Sequence, residues 1–165
     1  MRSLRVIVPV LTTLAALLVL APAAAAAPAV TADIGGLEYA ATDTEGRFGG
    51  AANGQVPGAW LATVVHDPLT EGVAVPITGG SFTLRSTQGD VSGRFVRGEV
   101  VPLDDFFTCA NQRFNVTGTL ALDSGGRGAF TVVLTHLLAQ TDSGCHIYGA
   151  VVAGSLTVPA RAVAA

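Results

Sequence analysis

The chain has 165 residues, of which 50% are hydrophobic and 13% charged, with a net charge of −3. All nine of its cationic residues are arginines, scattered among carboxylates. Nucleic-acid binding draws on clustered positive charge, so this composition argues against it.

Residues 1–27 read as a secretory signal peptide. Met1-Arg2-Ser3-Leu4-Arg5 supplies the positive start, Val6 to Leu20 the apolar core, and Ala21 to Ala27 the small-residue cleavage zone. The apolar run falls short of the roughly 20 residues of a spanning helix and carries Pro9. Cleavage between Ala25 and Ala29 leaves seven basic against twelve acidic residues, a net charge of −5, on about 138 residues. That length suits one domain with a proper core. The expected product is a secreted, extracellular protein with no membrane span in the mature chain. No cysteine precedes Cys109, so no thiol near the cleavage zone is there to carry a lipid.

Residues 28–58 are rich in glycine and alanine, with one expected strand from Leu37 to Thr42 and repeated turn residues from Arg47 to Gly58. A partly ordered N-terminal segment is the expectation here. Residues 59–160 carry the β domain. Ala59 to His66 alternates Trp60, Ala62, Val64 and His66 against Leu61, Thr63 and Val65, as a central strand does. Gly72 to Thr78 and Ser81 to Ser86 flank Gly79-Gly80, which reads as a hairpin turn, with a bulge inside one longer strand as the alternative. Val91 to Val101 is a long strand that bends near Gly98.

A loop from Pro102 to Asn111 follows, and then three strands. Phe114, Val116, Gly118, Leu120 and Leu122 share one face of the first, with Asn115, Thr117 and Thr119 facing solvent. Phe130, Val132, Leu134, His136 and Leu138 line the second. His146, Tyr148, Ala150, Val152, Gly154, Leu156 and Val158 line the third. No window after the signal shows helical periodicity. The predicted fold is all-β, a single antiparallel domain of about seven to eight strands, either a small meander barrel or a β-sandwich. A barrel leaves no exposed strand edge, an advantage for a chain this rich in valine and threonine.

Cys109 and Cys145 are the only cysteines, and in an exported chain they pair. Closing that loop restricts the unfolded chain by about 4 kcal/mol in the entropy model. Two parallel strands separated by a third stand about 9.6 Å apart, beyond the reach of a disulfide between strand residues. Both cysteines are therefore expected in loops, bridging the tip of the intervening strand. The bridge gathers Asp104, Asp105, Phe106 and Phe107 at one rim with His136, His146 and Tyr148, and this rim is the candidate ligand-binding site.

With the last hairpin turning near Thr141, His136 and His146 lie opposite one another. Asp104 or Asp105 would complete a two-histidine, one-carboxylate arrangement. The simpler reading has the histidines packing at strand ends and the aspartates solvating a loop. His66 joins this rim only if Gly79-Gly80 is a bulge. No Gly-x-Ser-x-Gly elbow occurs, and a paired Cys109 is no nucleophile. Neither a catalytic residue nor a cofactor is assigned. Asn115-Val-Thr matches a glycosylation acceptor, but a solvent-face strand residue is the simpler account of Asn115.

Gly58-Ala59-Trp60 resembles the opening of the calycin barrels, the lipocalin and avidin group. The resemblance implies a ligand cavity, with the tryptophan near one end of the barrel and a late arginine, here Arg161, covering it. The sequence thus favours a secreted, non-enzymatic β-domain acting as an extracellular or envelope-associated binding or structural module. Its partner would be a small ligand or a cell-surface component. A calycin-like carrier of a small apolar ligand, or a small secreted enzyme using the His/Asp rim, are the alternatives.

Overall fold

A computed structural model describes residues 28–105 and 109–163. The expected signal peptide lies outside the described residues. Eight antiparallel strands run in sequence: β1 (Ala29–Thr42), β2 (Glu45–Gly54), β3 (Gly58–His66), β4 (Val75–Ser86), β5 (Val91–Pro102), β6 (Gln112–Leu122), β7 (Arg127–Thr141) and β8 (Gly144–Pro159). Each pairs with its neighbour in the chain, and β1 pairs with β8 from Ala29↔Pro159 to Leu37↔Val151, closing a barrel. The architecture is the meander barrel of the two folds expected. Among the described residues no helix is long and apolar enough to cross a membrane.

Each strand sends alternate side chains inward, and an eight-stranded barrel has just enough interior for them to fill. Trp60 stacks on Phe82 with ring centroids 6.1 Å apart. Phe130 meets Phe82 edge-on at 6.0 Å and Phe95 at 5.4 Å. Offset and edge-to-face contacts of this kind add to the burial of the rings themselves. Trp60 also donates its indole Nε1–H to the carbonyls of Gly35 and Ala51, both at 3.2 Å, so its one polar atom is satisfied inside the barrel wall.

The glycine- and alanine-rich stretch expected to hold one strand forms two, β1 and β2. Its small residues answer the large ones opposite. Gly36 pairs with Gly50, and Gly50 with Trp60. A side chain at Gly50 would run into the Gly35 carbonyl, so the two strands approach here at a distance that only glycine permits.

Gly79-Gly80 is not a hairpin turn. It lies inside β4, and the register with β3 jumps from Val65↔Gly79 to His66↔Ile77, leaving Thr78 as the extra residue of a bulge. Gly80 has φ +121° and sits against the Thr63 backbone, a conformation that suits glycine within a strand as well as in a turn. The bulge makes β4 one strand, and His66 consequently ends β3 at the same rim as the end of β7.

Three further bulges place Tyr39, Val96 and Tyr148 as extra residues. Each resets the inward alternation by one. Strict alternation put Tyr148 on the core face with Ala150; the bulge leaves it 68% exposed. At the lower end, where β8 finishes, a 3-10 turn (Ala160–Ala162) folds across the opening, tied by Ala160 N–H donating to the Pro28 carbonyl at 2.8 Å. Val56, Ala162 and Val163 are buried there. Arg161 is exposed in this turn, alongside Gly126, while Trp60 is enclosed by the aromatic rings.

Candidate functional site

The upper mouth of the barrel, where β1, β3, β5 and β7 end, holds the polar side chains nearest the core. Glu38 on β1 and His136 on β7 are separated in space by β8. Leu37 pairs with Val151 and His136 with Ala150, which puts Ala150 between the two side chains on the intervening strand. Alanine is short enough for them to meet above it: His136 Nε2–H donates to Glu38 Oε2 at 3.0 Å. The side chains are 12% and 9% exposed respectively. Gly46 makes room for the carboxylate, since a methyl group there would lie 2.7 Å from Glu38 Oε1. Phe114 packs against the imidazole at 5.0 Å between centroids.

A cavity of about 50 Å³ lies beneath this pair, reaching His66 and Leu69 on one side and Phe48, Val116 and Leu134 below. That is room for a water molecule or two, well under the few hundred Å³ of a drug-sized ligand site. His66 faces the cavity, and its Nδ1–H donates to the Asp67 carbonyl at 2.7 Å.

The other residues of the expected rim do not converge on this point. The last hairpin turns at Asp142-Ser143 rather than at Thr141, so His146 pairs with Ala139 and stands three strand positions beyond the level of His136. It is exposed at the hairpin tip, where its Nε2 shares a hydrogen bond with Ser143 Oγ at 2.9 Å. A serine and an imidazole at that distance could begin a nucleophile–base pair, but among the described residues no carboxylate orients the ring, as such catalysis requires.

Asp104 is held by Arg113. Its Oδ2 accepts from the Arg113 backbone N–H at 2.8 Å and from Nε–H at 3.0 Å, and its Oδ1 accepts from Nη2–H at 2.8 Å. These bonds hold the Asp104 carboxyl below its ordinary value and raise the Arg113 guanidinium above its own. Asp104 therefore anchors its loop to the start of β6, while Asp105 is exposed. Phe106 and Phe107 lie outside the described residues. Among the described residues no group of three or more His, Cys, Asp and Glu side chains could hold a metal ion.

The disulfide joins Cys109 to Cys145, with Cα atoms 5.5 Å apart. Cys109 precedes β6 as expected, but Cys145 lies within β8, opposite Gln140. The β7–β8 hairpin runs beyond the first residue of β6, which pairs with His136, so the bridge needs only one loop to fold over to it. The Asn111 side chain helps, accepting from Leu138 N–H at 3.3 Å. An intact disulfide fits an oxidising compartment.

Sequence reasoning placed His136 at this end but missed Glu38. The two are 98 residues apart, and they become neighbours only because β1 closes onto β8. The available signal was the apolar-polar alternation Ala32, Ile34, Gly36, Glu38, which puts a carboxylate at the end of an inward-facing series. No family model, curated protein sequence or solved structure matches this chain.

Proposed function

We propose that this protein is an exported, non-enzymatic binding or structural module of the extracellular or envelope space. One observation carries the reading: the interior is occupied by Trp60, Phe82, Phe95, Phe114 and Phe130, and the enclosed space at the mouth amounts to about 50 Å³. A carrier of a small apolar molecule needs several times that volume. A rim enzyme needs acid and base groups converging on one point, whereas His66, His136 and His146 each have a separate partner. The cationic and then apolar start of the sequence supports export, and the disulfide agrees with it. Recognition by such a module would then use the outside of the barrel.

Metal analysis and native mass spectrometry of the purified protein, followed by the same measurements on His136→Ala, test this reading. The expected result is a chain carrying neither metal nor small molecule in stoichiometric amount. One metal per chain that is lost in the variant would replace the proposal by the rim enzyme. One apolar molecule per barrel would replace it by the carrier.

A further inference from the structure

The outer wall formed by β3, β2, β1 and β8 is unlike the rest of the surface. In the row Leu61, Gly49, Leu37, Val151, each residue pairs with the next across the strands. The row below reads Ala59, Ala51, Gly35, Ala153. Tyr39 stands above, on its bulge. No charge lies within these two rows, and Arg47, opposite Ala40, flanks Tyr39. Leu37, Tyr39 and Leu61 are 57%, 61% and 56% exposed, and Val151 40%. Leu61 leans over Gly49, and the Tyr39 ring edge approaches the same glycine, so the large side chains form one cluster.

Taking on the order of 200 Å² as the full surface of such side chains, these four leave about 400 Å² uncovered. That is the size of the largest apolar patch on a typical monomer, which is often functional. The four side chains supply about half of the roughly 800 Å² per partner of a standard interface, and the exposed Ala51, Ala59 and Ala153 beside them extend the apolar surface. Beside Leu61 lies a surface groove floored by Gly50 and Ala59 and bounded by Thr83 and Arg85.

From these features we infer that this wall is a two-fold interface with a second copy of the same chain, Leu37 and Tyr39 of each copy entering the Gly50–Ala59–Leu61 groove of the other. Projections and groove lie on one face, so a two-fold axis engages both pairs at once and closes the assembly. At its margin Arg47 is matched within the chain, its Nε–H donating to Glu45 Oε1 at 2.7 Å, while Arg85 bounds the groove itself. A polar rim around an apolar centre is the anatomy of a protein interface. A lipid surface fits less well. Three rows two residues apart span about 14 Å, short of the roughly 25 Å apolar band of a membrane barrel, whose interior is polar; here the interior is apolar. This association does not depend on the binding-module reading.

Sedimentation equilibrium of the purified protein over a range of concentrations is the test, with Leu37→Arg, Leu61→Arg and, on the opposite wall, Val96→Arg. Near-ultraviolet circular dichroism of the Trp60 environment checks that each variant is folded. The expected result is a dimer whose dissociation constant rises at least tenfold in Leu37→Arg and in Leu61→Arg and is unchanged in Val96→Arg. A wild-type chain that stays monomeric up to about 1 mM overturns the proposal, and so does a dimer that neither leucine variant weakens. A monomer that adsorbs to phosphatidylglycerol vesicles through Leu37 overturns it in favour of a membrane surface.

Discussion

At the lower end of the barrel the last inward layer is carbon: Val56, Ala162 and Val163 close over the aromatic stack. At the upper end the last inward layer includes Glu38 and His136, joined to each other, with a hairpin pinned beside them by a disulfide. Apolar closure contributes through burial alone, and each side chain adds its share nearly independently of the rest. Polar closure is conditional, because each partner is tolerable at the edge of the core only while the other is present. The ends should therefore respond differently to the same kind of insult.

The largest effect is expected in the apolar half. Trp60→Ala should cost about 3–5 kcal/mol in denaturant unfolding, since it empties a fully buried site whose surroundings are strands that cannot collapse. A loss below 1 kcal/mol would mean that the aromatic stack is not the centre of the core. Next, replacing both Cys109 and Cys145 by serine should cost about 4 kcal/mol or less, the entropy of freeing a closed loop with a sequence separation of 36. Hydrogen exchange should localise the change: amides at the hairpin tip, Thr141 and Gly144, gain exchange while those flanking Trp60 keep their protection. Equal loosening at both ends would erase the contrast.

His136→Ala should cost about 2–3 kcal/mol, because it leaves the Glu38 carboxylate without its hydrogen-bonded partner at the edge of the core. Glu38→Gln in the same background should recover part of that loss, and a double-mutant cycle on thermal unfolding measures the coupling. Additive losses would mean that the pair does not act as a unit. The smallest effect lies at the loop. Asp104 has a lowered folded pKa, so its contribution is present above the ordinary value of 3.8 and is lost as pH falls through the lower folded value. Arg113→Ala should flatten that acid limb of the stability profile while leaving the region above pH 5 nearly parallel to wild type.

The strands from β3 onward were legible because their inward residues are large: Trp60, Phe95, Phe114 and Phe130 mark an alternation that small residues do not. β1 and β2 fill the other side of the same contacts with Gly36, Gly46, Gly50 and Ala52, and a strand whose inner face is glycine carries almost no hydrophobic period. The bulges were unreadable for a related reason. Nothing in the residues Tyr39, Thr78, Val96 or Tyr148 marks an insertion; what fixes it is the register of the partner strand. At the mouth, His136 was found as the end of an apolar series, but its partner depended on knowing which strand closes the ring. The disulfide was found by compartment and arithmetic, and only the position of Cys145 within β8 rather than before it was missed.

The pairing of Ala29 with Pro159 sets the two extremities of the barrel side by side. Chain connectivity is then nearly a circle already. A short peptide could join them, and new ends cut into the exposed segment between His66 and Val75 would leave every ladder intact. Such a permuted molecule would begin with the strand that is now fourth and still build the same ring.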